Sequence, residues 1–125
     1  MKRIAWAALS VLALASPALA APGDMNVAEF LRRADALRAL GPAALLSSDM
    51  GALRREGEAA GTQYRARLAQ ERTQGHPSSC PPPASRVSSD QLLAHLRTYP
   101  AAIRPRTTMR TAVADYMIRT YPCRS

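Results

Sequence analysis

The sequence predicts an all-α fold, a small bundle of four to five helices closed by one disulfide bond. Apolar residues recur at helical spacing in several segments that begin with capping residues, and no segment reads as a β-strand. The chain also contains two cysteines, Cys80 and Cys123. Because only six aromatic residues occur among 125, we expect a modest core of leucine, alanine, valine and methionine, which makes the disulfide more important.

The first twenty residues have the three-part organisation of a secretory signal peptide. Lys2 and Arg3 form a positive start, residues 4–15 are apolar and uncharged, and Ala18-Leu19-Ala20 supplies a small-x-small cleavage pattern. A membrane anchor is the alternative, but spanning the hydrocarbon core takes about 20 apolar residues, and this run is shorter. We expect cleavage near Ala20, one helical domain over residues 21–125, no transmembrane segment after cleavage, and a periplasmic or secreted location.

The charge pattern limits the partners to consider. Without residues 1–20 the chain would carry a formal charge of +6, from 15 basic and 9 acidic residues, and all basic residues would be arginine. Such a surface can bind nucleic acid, an anionic envelope surface or an acidic protein. Export and the lack of interleaved aromatic residues argue against nucleic acid, so we expect none as a partner. The alternative is that the arginines form a solvated polar surface with no binding partner.

The first helix is predicted from Asn26, an N-cap candidate with Glu29 three residues later in a capping-box pattern. Residues 21–25 before it form a short tail, and Gly41-Pro42 ends the helix. Residues 43–46 add a possible helical turn. The apolar stripe of this helix is Val27, Phe30, Leu31, Ala34 and Leu37.

The second helix begins near Ser47 or Ser48 and extends to about Arg72. Its predicted buried stripe is Leu53, Gly57, Ala60, Gly61, Tyr64 and Leu68. Each glycine costs about 1 kcal/mol relative to alanine inside a helix. Either another helix approaches closely at these glycines, or the second helix is weak or bent.

The remaining chain alternates between proline-rich loops and two short helices. Residues 74–87 contain a glycine and four prolines and predict an irregular loop. Ser88 and Gln91 have capping-box spacing and begin a third helix, which Pro100 stops. Its apolar face is Leu92, Leu93, Leu96 and Tyr99. After a loop at residues 104–106, Thr107 or Thr108 caps a last helix with the stripe Met109, Ala112, Val113, Tyr116 and Met117.

The two cysteines flank the last two helices. An even number of cysteines in an oxidising compartment predicts a disulfide. Pairing Cys80 with Cys123 closes a loop of about 44 residues, which stabilises the fold by roughly 4 kcal/mol in the chain-entropy model. If the last two helices form an antiparallel hairpin, the bond latches its open end and anchors the proline-rich loop.

Residues suited to catalysis are nearly absent. His76 lies in the loop and His95 in a helix, and a zinc site with the cysteines would need free thiolates at a spacing that fits no standard pattern. Ser78-Ser79 lacks a nucleophile-elbow context. The acidic residues Asp35, Asp49, Glu56, Glu58 and Asp115 read as ordinary helix-surface residues. We therefore predict no enzyme, no catalytic residue, no metal site and no cofactor.

One resemblance lies in the C-terminal half. The motifs are Cys80-Pro81-Pro82, Gln91, Leu92-Leu93-x-x-Leu96, Tyr99-Pro100 and Tyr121-Pro122-Cys123. Together they resemble the C-terminal pattern of the Rap and Tai immunity proteins, small exported helical proteins of bacteria with type VI secretion. The resemblance extends from Cys80 to Cys123. The first helix differs from the family, with Ala34 and Leu37 in the region where a cysteine is expected.

The resemblance implies an exported, non-catalytic protein that binds and inhibits a peptidoglycan amidase effector by blocking its catalytic cleft. The candidate partner-binding loop is Pro77, Ser78, Ser79, Pro81, Pro82, Pro83 and Arg86. Other functions remain open, namely a periplasmic envelope structural or stress protein, a small chaperone, or attachment to an anionic surface through arginine. The sequence does not determine the oligomeric state.

Overall fold

The computed structural model describes residues 21–124 and contains four α-helices and two short 3-10 helices. The α-helices are α1 (Val27–Leu40), α2 (Ser48–Thr73), α3 (Ser89–Arg97) and α4 (Met109–Thr120), and the 3-10 helices are Gly41–Leu46 and Arg104–Arg106. This part of the chain contains no β-strand, and Cys80 is bonded to Cys123. The predicted all-α, disulfide-closed fold is therefore confirmed. The predicted signal peptide, residues 1–20, lies outside the described residues.

Most helices begin at the capping residues that the sequence indicated. The Ser47 hydroxyl accepts from the backbone N–H of Asp49 (3.2 Å), and the Thr108 hydroxyl accepts from that of Thr111 (3.2 Å). At α3 the capping box is complete, because Ser88 accepts from the Gln91 N–H while the Gln91 side chain accepts from the Ser88 N–H. These bonds satisfy N–H groups that the helix itself leaves unpaired.

The cap of α1 differs from the predicted capping box. The Asn26 side chain accepts from the Glu29 N–H (2.8 Å), but the Glu29 carboxylate binds the guanidinium groups of Arg32 and Arg33 instead of returning to the cap. Hydrogen bonds from Arg32, and then from Arg33, lower the pKa of Glu29 to about 2. The reciprocal half of the box is lost because two arginines one turn away offer stronger, charge-assisted bonds.

The core lies between α2 and α4, which form the most extensive helix pair, while α1 packs on both and α3 packs on α1 and α4. Val27, Leu96 and Met109 are fully buried, and burying a side chain of this size stabilises the fold by about 1.5–3 kcal/mol. The other buried apolar residues are Phe30, Leu31, Leu37, Ala44, Leu53, Ala60, Tyr64, Leu68, Tyr99, Ala112, Val113 and Ala114.

Residues 21–26 form an ordered strap rather than the predicted short tail. The backbone of Met25 accepts from the N–H of Met109 (2.8 Å), and that of Gly23 accepts from the N–H of Arg110 (2.9 Å). Gly23 has φ 98°, and a Cβ there would lie 2.6 Å from Oε1 of Gln63, so glycine is required at this position. The strap thereby closes the start of α4 against α2.

The buried face of α2 includes one residue that the sequence analysis assigned wrongly to the surface. Glu56 is only 7% exposed, and its Oε1 accepts from the backbone N–H of Met25 (2.8 Å). A buried carboxylate at this position is tolerated because it satisfies a backbone donor of the strap.

None of the four α-helices in the described chain combines the length and apolarity that crossing a membrane requires.

Candidate functional site

The disulfide holds the start of the proline-rich loop against the end of α4. The Cα atoms of Cys80 and Cys123 are 4.9 Å apart, and the Cys80 N–H donates to the carbonyl of Tyr121 (2.7 Å). The predicted hairpin latch is corrected in one respect. The residues just before Cys80 are bonded to α2, so the disulfide ties the end of α4 to a segment fixed on α2 rather than to the start of α3.

A chain of hydroxyl groups fixes that segment on α2. The Tyr64 hydroxyl lies 2.6 Å from the Ser79 hydroxyl and 2.9 Å from that of Ser78, and Ser78 donates to the carboxylate of Glu71 (2.5 Å). All three bonds are satisfied together when Ser79 donates to Tyr64 and Tyr64 donates to Ser78. The bond from Ser78 is the main cause that lowers the pKa of Glu71.

This arrangement divides the predicted partner-binding loop into two parts. Ser79 is fully buried and Ser78 is partly buried, so these two serines hold the loop through their hydrogen bonds. Pro77 before them is partly buried. Of the others, Pro82, Pro83 and Arg86 are exposed and Pro81 is partly buried. We call residues 81–87 the exposed loop. Its prolines restrict the backbone, and both of its ends are held by ordered structure.

The exposed loop forms one edge of a groove of about 1350 Å³. The rest of the lining comes from α1, the first 3-10 helix, α2, α3 and α4. We call the lining from α2, α3 and α4 the floor and the remainder the edges. Partly buried apolar side chains that pack on the core also line the groove, namely Ala34, Met50, Leu92, Leu93 and Met117. The groove therefore joins the loop predicted from the sequence to a larger apolar surface that the sequence analysis did not identify.

Gly57 and Gly61 lie in the floor of the groove and are not explained by helix packing. A Cβ on Gly57 would meet only the Leu92 side chain, at 4.0 Å, and one on Gly61 would meet only the Arg65 guanidinium, at 3.6 Å. The predicted close approach of another helix is therefore absent at both glycines. Each weakens α2 by about 1 kcal/mol relative to alanine, and the effect of both is to leave the groove open.

Five arginines and one carboxylate, Glu58, line the groove. The arginines are Arg38, Arg54, Arg65, Arg72 and Arg86. Within residues 21–124 none of these five forms a salt bridge. Outside the groove, five arginines of the same range form one, namely Arg32, Arg33, Arg67, Arg97 and Arg110, and five do not, namely Arg55, Arg104, Arg106, Arg119 and Arg124. The groove thus combines an apolar floor with an excess of unneutralised positive charge.

The sequence contains a signal for this surface in α2. Arg54, Gly57, Gly61, Arg65, Leu68 and Arg72 follow one another at spacings of three or four residues, which places them on one face of a helix. The predicted buried stripe includes both glycines but none of the arginines in the same row. Their inclusion would have indicated a charged, open face.

A second polar cluster lies between α3 and α4. Nε2 of His95 is 2.9 Å from the carbonyl of Ala112, so this nitrogen carries the proton, and the Tyr99 hydroxyl donates to Asp115 (2.5 Å). Burial lowers the pKa of His95, while burial and the bond to Asp115 raise the pKa of Tyr99. The expectation that Asp115 is an ordinary surface residue is wrong, because it is partly buried and accepts from a core tyrosine.

No grouping of three histidine, cysteine or acidic side chains suited to a metal ion occurs within residues 21–124. His76 is exposed in the loop and His95 is buried 19 positions later in the chain. The groove, at about 1350 Å³, is larger than a cleft of about 410 Å³ between α2 and α4. Comparisons with protein-family models, with curated proteins and with solved structures find no match to this chain.

Proposed function

We propose that this protein is exported and acts without catalysis by binding another protein, with a peptidoglycan amidase effector as the partner class. The observation that carries the proposal is the exposed loop, which is rich in proline, tethered by a disulfide and a buried hydroxyl chain, and set beside an open groove. A loop that is ordered before binding loses less conformational entropy on binding. The signal-peptide pattern and the C-terminal resemblance to the Rap and Tai immunity proteins support the same proposal.

The proposed mechanism is steric occlusion of the amidase cleft. The exposed loop enters or covers the cleft with Pro82, Pro83 and Arg86. The disulfide prevents displacement of the start of the loop. Arginine side chains near the loop accelerate encounter if the partner surface is acidic. No chemical step by this chain is needed, since exclusion of the peptide substrate is sufficient for inhibition.

The test is an inhibition assay with a panel of purified type VI amidase effectors. We expect one member to be inhibited at a one-to-one ratio by the disulfide-bonded protein, and cells that export this amidase to survive when the protein is co-expressed. The double variant Pro82→Gly/Pro83→Gly should weaken inhibition at least tenfold, whereas Pro105→Gly, at an exposed proline in the second 3-10 helix, should not. Inhibition of no panel member and no protection of cells would contradict the proposal.

A second candidate, a small envelope chaperone, is favoured by the buried His95 between α3 and α4. Protonation of a buried histidine opposes packing, and acid would then loosen α3 and widen the apolar groove. A hydrophobic dye should bind more strongly at pH 3 than at pH 7, with suppressed aggregation of a client protein at pH 3. Dye binding without protection of a client would count against the chaperone.

A further inference from the structure

We propose that the groove along α2 binds an amphipathic, acidic polypeptide segment of a partner protein. This inference rests on the proposed protein-binding function and adds the chemistry of the partner segment and the surface that receives it. It does not depend on the partner being an amidase. Three features of the groove determine the proposed occupant, namely its floor, its charge and its length.

The floor requires an apolar face on the occupant. Leu92, Leu93 and Met117 remain partly exposed there although they belong to the same cluster as the core. Gly57 and Gly61 keep side chains out of the floor without serving any helix contact within the chain. Leu45 and Leu46, which follow the groove-lining Ala44 in the chain, are 79% and 91% exposed. Exposed apolar side chains near a groove are typical of an interaction site.

The charge of the groove requires carboxylates on the occupant. Its five arginines face a single carboxylate of the chain, Glu58, and none of the five is neutralised by a salt bridge within the described residues. A second cleft between α2 and α4, of about 410 Å³, gives an internal comparison. There Arg67 is paired with Glu71, and Arg110 is paired with Asp24. The arginines of this cleft are paired within the described residues, whereas those of the groove are not.

The length and the distribution of charge favour a polypeptide. The lining residues of α2 extend from Met50 to Arg72, which corresponds to about 33 Å of helix, the length of a helical segment of about 22 residues. Arg54, Arg65 and Arg72 are spread along this distance, whereas a lipid would place its charge at one end. Nucleic acid would bring charge without an apolar face for the floor. An amphipathic helix with acidic and apolar residues satisfies both requirements, as helices do in grooves of other proteins.

The test uses the disulfide-bonded protein and fluorescent synthetic 22-residue amphipathic helices of leucine with glutamate. Matched peptides replace glutamate by glutamine, or scramble the order. We expect the glutamate peptide to bind at least tenfold more tightly than either control, with a Kd that rises with salt. The variant Arg54→Glu/Arg65→Glu should weaken binding at least tenfold. Arg55→Glu/Arg106→Glu, the same charge change at exposed arginines outside the groove, should change the Kd less than twofold.

A second pair of variants tests the floor without changing charge. Gly61→Leu should fill the groove and weaken binding at least tenfold, while Gly61→Ala should leave the Kd within about twofold. Circular dichroism should show both variants folded, since each replaces glycine by a better helix former. If Gly61→Leu does not fold, the two double arginine variants still decide the outcome.

Several outcomes would overturn the groove proposal. They are equal binding of the glutamate and glutamine peptides, equal effects of the two double arginine variants, binding of anionic lipid vesicles with no peptide binding, and self-association that the groove variants abolish. The amidase assay separates this proposal from the previous one. Inhibition that survives both Arg54→Glu/Arg65→Glu and Gly61→Leu refutes the groove alone, whereas peptide binding without inhibition of any amidase refutes the amidase partner alone.

Discussion

The two sides of α2 differ in how their polar groups are satisfied. Towards the strap, the Glu56 carboxylate accepts from the backbone N–H of Met25. Towards the groove, Gly57 and Gly61 lower helix propensity, and the neighbouring arginines form no salt bridge within residues 21–124. The contact on the strap side stabilises the fold. On the groove side, the two glycines lower helix stability and leave the surface open. Substitutions on the two sides should therefore have opposite effects.

The largest expected effect comes from the disulfide, which fixes the groove edge to the stable side. The variant Cys80→Ser/Cys123→Ser should lower the free energy of unfolding by about 4 kcal/mol, measured by urea denaturation. Limited proteolysis within residues 81–87 should also become faster. Reductant should destabilise the natural protein by a similar amount and leave the double variant unchanged. A loss below about 1 kcal/mol would show that the loop is held mainly by Tyr64 and its serine partners.

The next largest effect is expected at Glu56. Glu56→Ala leaves the partly buried N–H of Met25 without its acceptor, which should cost about 1–2 kcal/mol in the free energy of unfolding. Glu56→Gln keeps an acceptor oxygen and should cost less. The control Glu58→Ala, two residues away on the exposed groove side, should change stability by less than about 0.5 kcal/mol. Equal losses at Glu56 and Glu58 would remove the distinction between the two sides of α2.

A smaller effect is expected from pH through His95. Burial lowers the pKa of His95 below 6.5, so the unfolded chain binds its proton more readily than the folded one. The stability that the neutral ring provides is complete above pH 6.5 and is lost as pH falls below it. The slope should not exceed about 1.4 kcal/mol per pH unit.

The contribution of His95 can be separated by comparing the natural protein with His95→Gln from about pH 5 to pH 7.5. Glutamine can still donate to the Ala112 carbonyl but does not titrate, so the slope should become smaller. Glu29 titrates at about 2 and does not contribute in this range. Identical slopes for the two proteins would contradict the assignment of the pH dependence to His95.

The smallest effect should be a gain in stability on the groove side. Gly61→Ala should raise the free energy of unfolding by about 0.5–1 kcal/mol, because a Cβ there meets only the movable end of Arg65. Gly23→Ala gives the opposite sign, since that residue has φ 98° and a Cβ would lie 2.6 Å from Gln63. Thermal melting of the two variants measures both. Destabilisation by Gly61→Ala would indicate a packing role that the structure does not reveal.

The parts of the fold that the sequence predicted depend on neighbouring residues. Ser47, Ser88 and Thr108 cap helices through atoms two or three positions away, and the apolar stripes follow helical spacing. The disulfide was predictable because only two cysteines occur. Each of these signals is contained in a short window or in a simple count.

The wrong predictions concern contacts between distant residues. Glu56 is a surface residue by local pattern, and only the strap, 31 positions earlier, explains its burial. Asp115 acquires its role from Tyr99 on another helix. The groove was missed for the same reason, since its floor belongs to three helices and its edges to α1 and the exposed loop. Spacing along one helix indicates a face but not what, if anything, covers it.

The strap has a consequence for when the chain can finish folding. Asp24 binds Arg110 across 86 positions, and Gly23 and Met25 accept from Arg110 and Met109. The residues that hold the beginning of the described chain are thus synthesised after α1, α2 and α3. Until they emerge from the ribosome, the early segment has no backbone partner there, and the entropy of closing such a long loop is uncompensated. The strap of a nascent chain therefore has no docking site until the start of α4 has been synthesised.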